Sequence, residues 1–205
     1  LINYFEKSAV LEKNKIIFAT KNEGKKREVK RIFENSRFEL LSLNDFNNVP
    51  EIEENGNTFE ENASIKAHKI FEMFRVPVVA DDSGLVVDQL NGNPGVYSAR
   101  YAGEDATDEE NNQKLLKELE NFPEPHPAKF VCVAVYYDGK KYFKAQGEVV
   151  GKIIKEQRGE NGFGYDPLFV PEGFNNTMGE FPLDKKNEIS HRSKAFKALK
   201  KFLNS

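Results

Sequence analysis

Short β-branched apolar runs alternate along this chain with stretches whose apolar residues recur at helical spacing. The first run, Lys15-Ile16-Ile17-Phe18-Ala19-Thr20, reads as a buried strand. A tight loop over 21–25 leads into an amphipathic helix over 27–33, with Val29, Ile32 and Phe33 on one face. Residues 38–43 read as a second strand, and 44–57 are polar and acidic. Thr58-Phe59-Glu60-Glu61 has the form of a capping box. The helix it opens runs to about Phe74, with Ala63, Ala67, Ile70, Phe71 and Phe74 as its apolar stripe. Val76 to Ala80 is a further buried strand that ends in Asp81-Asp82-Ser83-Gly84, and Leu85 to Val87 resumes the strand pattern. Asn91-Gly92-Asn93-Pro94-Gly95 is a turn, and 108–119 is a helix with Leu115, Leu116 and Leu119 inward. Three prolines within 121–127 mark a linker, which places a junction between two lobes. Residues 128–137 and 141–150 form an antiparallel hairpin with Asp138-Gly139 as a type I′ turn. Residues 152–154 and 168–170 are short strands, and Ser190 N-caps a last helix running to about Leu203. Strands alternating with helices predict an α/β fold.

Five places along the chain carry candidate chemistry. Burying Asp81 and Asp82 is costly unless they are paired or bind a cation, so this strand end is a candidate catalytic or metal-binding edge. A plain polar turn is the competing reading. Thr20 to Lys25, between a strand and a helix start, suits phosphate, although it lacks the spacing of a Walker A loop. Gly159 to Pro167 interleaves three glycines with Phe163 and Tyr165, a loop able to approach and stack on a flat ligand. His191 and Arg192 fall in the first turn of the last helix, where the helix dipole disfavours cations. A ligand would explain them. Glu54, just before the second helix, can leave its loop to reach a metal, whereas Lys66 on that helix reads as a snorkelling surface lysine unless a ligand claims it.

Composition narrows the field. The 205 residues carry a net charge of −3, which argues against a general nucleic-acid binder. Cys132 is the only cysteine and sits in an apolar run, so it reads as a packed thiol. With no disulfide framework, no leader and no apolar stretch of membrane-spanning length, the cytoplasm is the expected compartment and no membrane partner is expected. Residues 1–14 are set apart as an extension of unassigned role, and 15–205 form the working domain.

Taken in register, Thr20-x-Asn22-x-x-Lys25, Glu54 with Lys66, Asp81-Asp82-Ser83-Gly84, Gly162-Phe163-Gly164-Tyr165-Asp166-Pro167 and Ser190-His191-Arg192 closely resemble the inosine/xanthosine triphosphate pyrophosphatase family. The likeness extends to Asn62-Ala63, Pro94-Gly95 and Tyr97 to Tyr101, and covers about 15–203. It implies an elongated α/β fold around a long central mixed sheet, with a cleft between two lobes, and a homodimer. It also implies Mg²⁺-dependent hydrolysis of ITP, dITP and XTP to the monophosphate and pyrophosphate, with Mn²⁺ as a substitute ion. On this resemblance Thr20, Lys21, Asn22, Glu23, Gly24 and Lys25 form the phosphate loop, and Lys66 adds charge to it. Glu54 and Asp82 hold the metal, with Glu53 as the fallback, and Asp82 is also the general base. Ser83 contacts substrate, Phe163, Gly164, Tyr165 and Asp166 line the base pocket, and Lys186, His191 and Arg192 read the base. Lys21 and Tyr165 depart from the common family pattern without removing a reacting group. The rival readings are a Maf-like pyrophosphatase acting on modified pyrimidine nucleotides and a nucleotide-sensing module without turnover.

Overall fold

A computed structural model describes residues 14–205, so all of the N-terminal extension but Asn14 lies outside the described residues. Among the described residues there are eleven principal elements, all but α4 anticipated by the sequence: β1 (Asn14–Phe18), α1 (Glu23–Phe33), β2 (Phe38–Ser42), α2 (Phe59–Phe74), β3 (Val78–Val87), α3 (Asp108–Leu119), β4 (His126–Tyr137), β5 (Tyr142–Ile153), β6 (Phe169–Pro171), α4 (Leu183–Ile189) and α5 (His191–Leu203). One six-stranded mixed sheet joins the strands in the order β2-β1-β3-β4-β5-β6. β1 pairs in parallel with β2 and β3, and the remaining neighbours are antiparallel.

Alternation across the pleat sorts the core. Ile16, Phe18, Val79, Cys132 and Ala134 face α1 and α5, where Val29, Phe33, Phe196 and Leu199 meet them. Ile17, Val78, Ala80, Val133 and Val135 face α2 and meet Ala63, Ala67 and Ile70. A third cluster gathers Leu85, Val87, Phe130, Val149 and Ile153 with Leu115 and Leu119 of α3 and Leu168, Phe169 and Met178. Among the described residues no helix is long and apolar enough to cross a membrane.

Several boundaries differ from the sequence reading. The β3 strand runs without a break through Asp81, Asp82 and Ser83, because each pairs in register with β4. The acidic pair is therefore mid-strand, neither a strand end nor a turn. The proline-rich linker is shorter than expected: residues 121–125 connect α3 to β4, and Pro127 already lies within β4. The hairpin turn has a positive φ at Gly139 alone (89°), which excludes type I′ with its two positive values. The Asp138 carboxylate instead accepts the Lys140 and Lys141 N–H groups at 2.9 and 2.7 Å. Residues 152–153 extend β5 rather than forming a separate strand. At α2 only half of the expected capping box forms: Thr58 accepts the Glu61 N–H, but the Glu61 carboxylate turns to the Asn57 N–H.

Candidate active site

Consecutive residues of β3 project to opposite faces of the sheet, so the two adjacent carboxylates have different surroundings. Asp82 faces α2. Its Oδ2 accepts the Asn62 Nδ2 at 3.0 Å, and its Oδ1 accepts the Ser83 N–H at 2.9 Å. Asn62 is itself oriented by the Gly56 N–H, which donates to its Oδ1 at 2.8 Å. One turn further along α2, the buried Lys66 donates to Glu54 Oε2 at 2.5 Å. Burial raises the Asp82 pKa above its ordinary value; Lys66 and Lys25 pull the other way, and Glu54 adds to the rise.

Asp81 and Ser83 face α1 and α5. Asp81 receives the Lys25 ammonium at 3.2 Å and the Arg192 Nε at 3.2 Å. Burial alone would raise its pKa, but Lys25, Arg192 and Lys66 together hold it well below the carboxylate range. The guanidinium of Arg192 also donates to Glu28 Oε2 at 2.7 Å and to Ser83 Oγ at 2.7 Å. Glu28 Oε1 in turn takes the Lys186 ammonium at 2.6 Å, and Lys186 reaches Asp166 Oδ2 at 2.5 Å. Three carboxylates (Glu28, Asp81, Asp166) thus face three cations (Lys25, Lys186, Arg192), which is how so much charge is buried. Burial works against the Glu28 carboxylate, yet Arg192 and Lys186 more than offset it and its pKa is lowered. Asp166 is raised by burial and by Glu28, despite Lys186.

Local sequence explains each placement. The side chain of Asn22 N-caps α1 by accepting the Lys25 N–H at 2.9 Å, so the helix begins at Glu23 and Lys25 rides in its first turn. The α4 helix ends at Ser190, which also caps α5 through the Ser193 N–H at 3.2 Å. That joint sets His191 and Arg192 at the start of α5. Arg192 is tolerated there because Glu28 and Asp81 neutralise it, so protein carboxylates answer for it where the sequence had pointed to a ligand. His191 stacks on Phe130 at 4.8 Å and 14°, and its Nδ1 has no partner among the described residues. Burial, then Arg192 and Lys186, push its pKa well below the ordinary value, so the ring is neutral.

These groups converge on a cavity of about 180 Å³. Asn22, Lys25, Glu54, Lys66, Asp82, Ser83, Phe163, Gly164, Tyr165, Asp166, Lys186, His191 and Arg192 line it. Glu54 lines it and Glu53 does not, being exposed. The Phe163 ring lies over Lys186 and Arg192, with centroid distances of 4.8 and 5.4 Å, and packs on Gly24 where a Cβ would stand 2.4 Å away. Four of the expected phosphate-loop residues are not on the cavity wall. The Thr20 hydroxyl accepts the Asn22 N–H at 3.1 Å, Lys21 reaches the Val49 carbonyl, and Glu23 takes the Asn44 amide. Gly24 serves as the floor for Phe163. The sequence reading missed Glu28 and gave no role to Asn62. Each was visible as a polar residue at helical spacing within an apolar stripe, Glu28 beside Val29 and Ile32, Asn62 beside Ala63 and Ala67. A more open groove of about 500 Å³ lies between α1, α4 and α5, but its Lys197 and Lys200 are engaged on backbone carbonyls.

Comparison with known proteins identifies relatives of the whole domain. The model of the Ham1 family matches residues 16–202. A dITP/XTP pyrophosphatase of Oceanobacillus iheyensis is 48% identical over 194 residues, covering 93% of this chain and 98% of that one. One of Geobacter sulfurreducens is 51% identical over 191 residues, covering 92% and 96%. Among solved structures, a HAM1 protein from Coxiella burnetii superposes with a TM-score of 0.85 at 38% identity, covering 93% of this chain and 98% of that one. The Staphylococcus aureus Ham1 protein gives 0.82 at 40% identity with the same coverage. By sequence and by fold, the chain belongs to the Ham1 family.

Proposed function

We propose that this protein hydrolyses non-standard purine nucleoside triphosphates (ITP, dITP and XTP) to the monophosphate and pyrophosphate. Such an activity clears them from the nucleotide pool. The observation that carries the reading is the single cavity in which Asp82, Glu54 and Lys66 meet the donors Lys186 and Arg192. One side suits a polyphosphate with its cation, and the other suits a base carrying an acceptor at position 6. The relatives' shared name, dITP/XTP pyrophosphatase, supports it.

The residues fit a divalent cation of the magnesium kind. Their donors are carboxylate oxygens, and among the described residues no cluster of three or more His, Cys, Asp or Glu could cage an ion unaided. Magnesium is ordinarily bound in that way, by one or two carboxylates with substrate phosphates and water completing the shell. Glu54 and Asp82 would hold it, with Mn²⁺ as an alternative, and when bound it would neutralise charge developing on the phosphates. Lys66 now satisfies Glu54 at 2.5 Å and is the group that would turn to the triphosphate. Lys25 adds a second cation on the opposite face of β3. Asp82 accepts the proton of the attacking water. The water oxygen bonds to the α-phosphorus, and the bond to the bridging oxygen breaks, so that pyrophosphate leaves. Arg192 offers five N–H donors and spends three on Asp81, Glu28 and Ser83, leaving two for a 6-oxo group. Adenine presents an amino group there and would leave those donors unpaired.

We further propose a cytoplasmic homodimer with no nucleic-acid or membrane partner, to be checked by light scattering of the purified protein. Turnover of ITP in ¹⁸O-water tests the reaction. Label in the monophosphate is expected. Label confined to pyrophosphate or orthophosphate would place the attack on another phosphorus and refute the scheme.

A further inference from the structure

We propose that the first turns of α3 act as a clamp on the nucleobase side of the site, with Asp108 and Asn112 as positioning residues. The proposal rests on the pyrophosphatase reading above. Asp108 and Asn112 stand four residues apart, so their side chains share one face of α3. Between them they hold both backbone polar groups of Gly164. The Gly164 N–H donates to Asp108 Oδ2 at 2.6 Å, and the Gly164 carbonyl accepts the Asn112 Nδ2 at 3.1 Å.

Gly164 needs such an anchor. Its φ is +61°, a left-handed conformation that side chains rarely adopt, and nothing lies within 4 Å of where a Cβ would be. Its Cβ side is open, and the two hydrogen bonds to α3 hold it. On either side stand the residues that shape the base wall. The Phe163 ring covers Lys186 and Arg192, and the buried Tyr165 donates its hydroxyl to the Ser98 carbonyl at 2.9 Å. The intervening Asn111 ties the facing wall to the same helix: its Oδ1 accepts the Ala102 N–H at 2.8 Å and its Nδ2 donates to the Ala99 carbonyl at 3.1 Å. Asn112 is buried, and its Oδ1 has no partner among the described residues, so this amide stays in the interior for its bond to the loop. The two hydrogen bonds act on Gly164 and not on Asp82, Glu54 or Lys66, so loosening them weakens base binding and leaves the chemical step alone.

The test combines steady-state kinetics on ITP with amide hydrogen exchange of the segment 159–167 measured without nucleotide. Asp108→Ala should raise KM about 5–10-fold, as expected for loss of a partly exposed charge-assisted hydrogen bond. Its kcat should hold within about twofold, and exchange in the segment should be faster. Asp108→Asn keeps an acceptor oxygen and should stay within about threefold of the parent in KM, with parental exchange. Asn112→Asp, of the same volume, sets a carboxylate against the Gly164 carbonyl and should behave like Asp108→Ala or worse. Unchanged KM and exchange in Asp108→Ala would overturn the clamp. So would a loss confined to kcat, or an Asp108→Asn variant as impaired as the alanine. A parent protein that turns over none of the triphosphates would instead overturn the pyrophosphatase reading and the loop's assignment to a base, while the exchange measurement still reads whether α3 orders the loop.

Discussion

Replacing Glu28 by glutamine isolates the charge on which the buried network turns. Glu28 is 2% exposed and holds Lys186 at 2.6 Å and Arg192 at 2.7 Å on its two oxygens. Glutamine keeps the shape and one acceptor oxygen but leaves two carboxylates against three cations. Removing one partner of a buried pair costs roughly 3–5 kcal/mol, and the retained acceptor favours the lower end, about 3 kcal/mol. For a chain of this size that is a fall in Tm of about 6–12 °C. The glutamine N–H₂ must also turn towards one of the two cations, so Lys186 or Arg192 shifts and the ITP-over-ATP ratio in kcat/KM narrows. Glu28→Asp, which retains the charge but is too short to span both cations, should lose less stability than the glutamine while still narrowing the ratio. Thermal unfolding at neutral pH and kcat/KM on both nucleotides decide it. A Tm within about 2 °C of the parent, with an unchanged ratio, would refute the charge accounting.

Asp82→Asn should retain the Asn62 contact and the fold but lose about 10²–10⁴-fold in turnover at saturating Mg²⁺; near-normal turnover would remove Asp82 from the role of base. His191 has its pKa depressed by burial and by Arg192, Lys186 and Lys25, with Asp81 opposing. Below its ordinary value of 6.5 the unfolded chain therefore takes up a proton that the fold does not. Stability from this group is complete above that pH and is lost progressively below it, so His191→Gln should flatten the slope of urea-unfolding stability in that range, and an unchanged slope would contradict the assignment. Gly84→Ala would place a Cβ 2.3 Å from both the Gly95 carbonyl and Ser98 Oγ. It should destabilise by about 1–3 kcal/mol, read by denaturant titration, and a neutral effect would show that the 95–100 turn can move aside.

How much of this was legible in the sequence depends on what each signal reports. Buried strands and the long helices α2, α3 and α5 were readable because apolar periodicity records burial directly. The seven-residue α4 was not, since Leu183 and Ile189 give it hardly any apolar face and its Lys186 and Asn187 are buried through polar contacts. The Asp81-Asp82 pair was misplaced to a strand end because a carboxylate in mid-strand is tolerated only when tertiary partners neutralise it. Those partners, Lys25 and Arg192, lie 56 and 111 residues away. The same distance hid the division of labour between Asp81, which binds the network, and Asp82, which faces α2 and Lys66. Lys66 read as a surface lysine, yet it is buried against Glu54. Family resemblance placed the five motifs in one site, whereas only coordinates separate those on the cavity wall from Thr20, Lys21 and Glu23, which brace it.

The most direct test of the central claim is turnover by the purified protein of ITP, XTP, dTTP and ATP, with Mg²⁺ and with chelator, and with the products identified. Monophosphate and pyrophosphate from ITP and XTP, abolished by chelator, with ATP and dTTP spared, is the predicted result. Preference for dTTP, release of orthophosphate alone, or binding of ITP without turnover would contradict it.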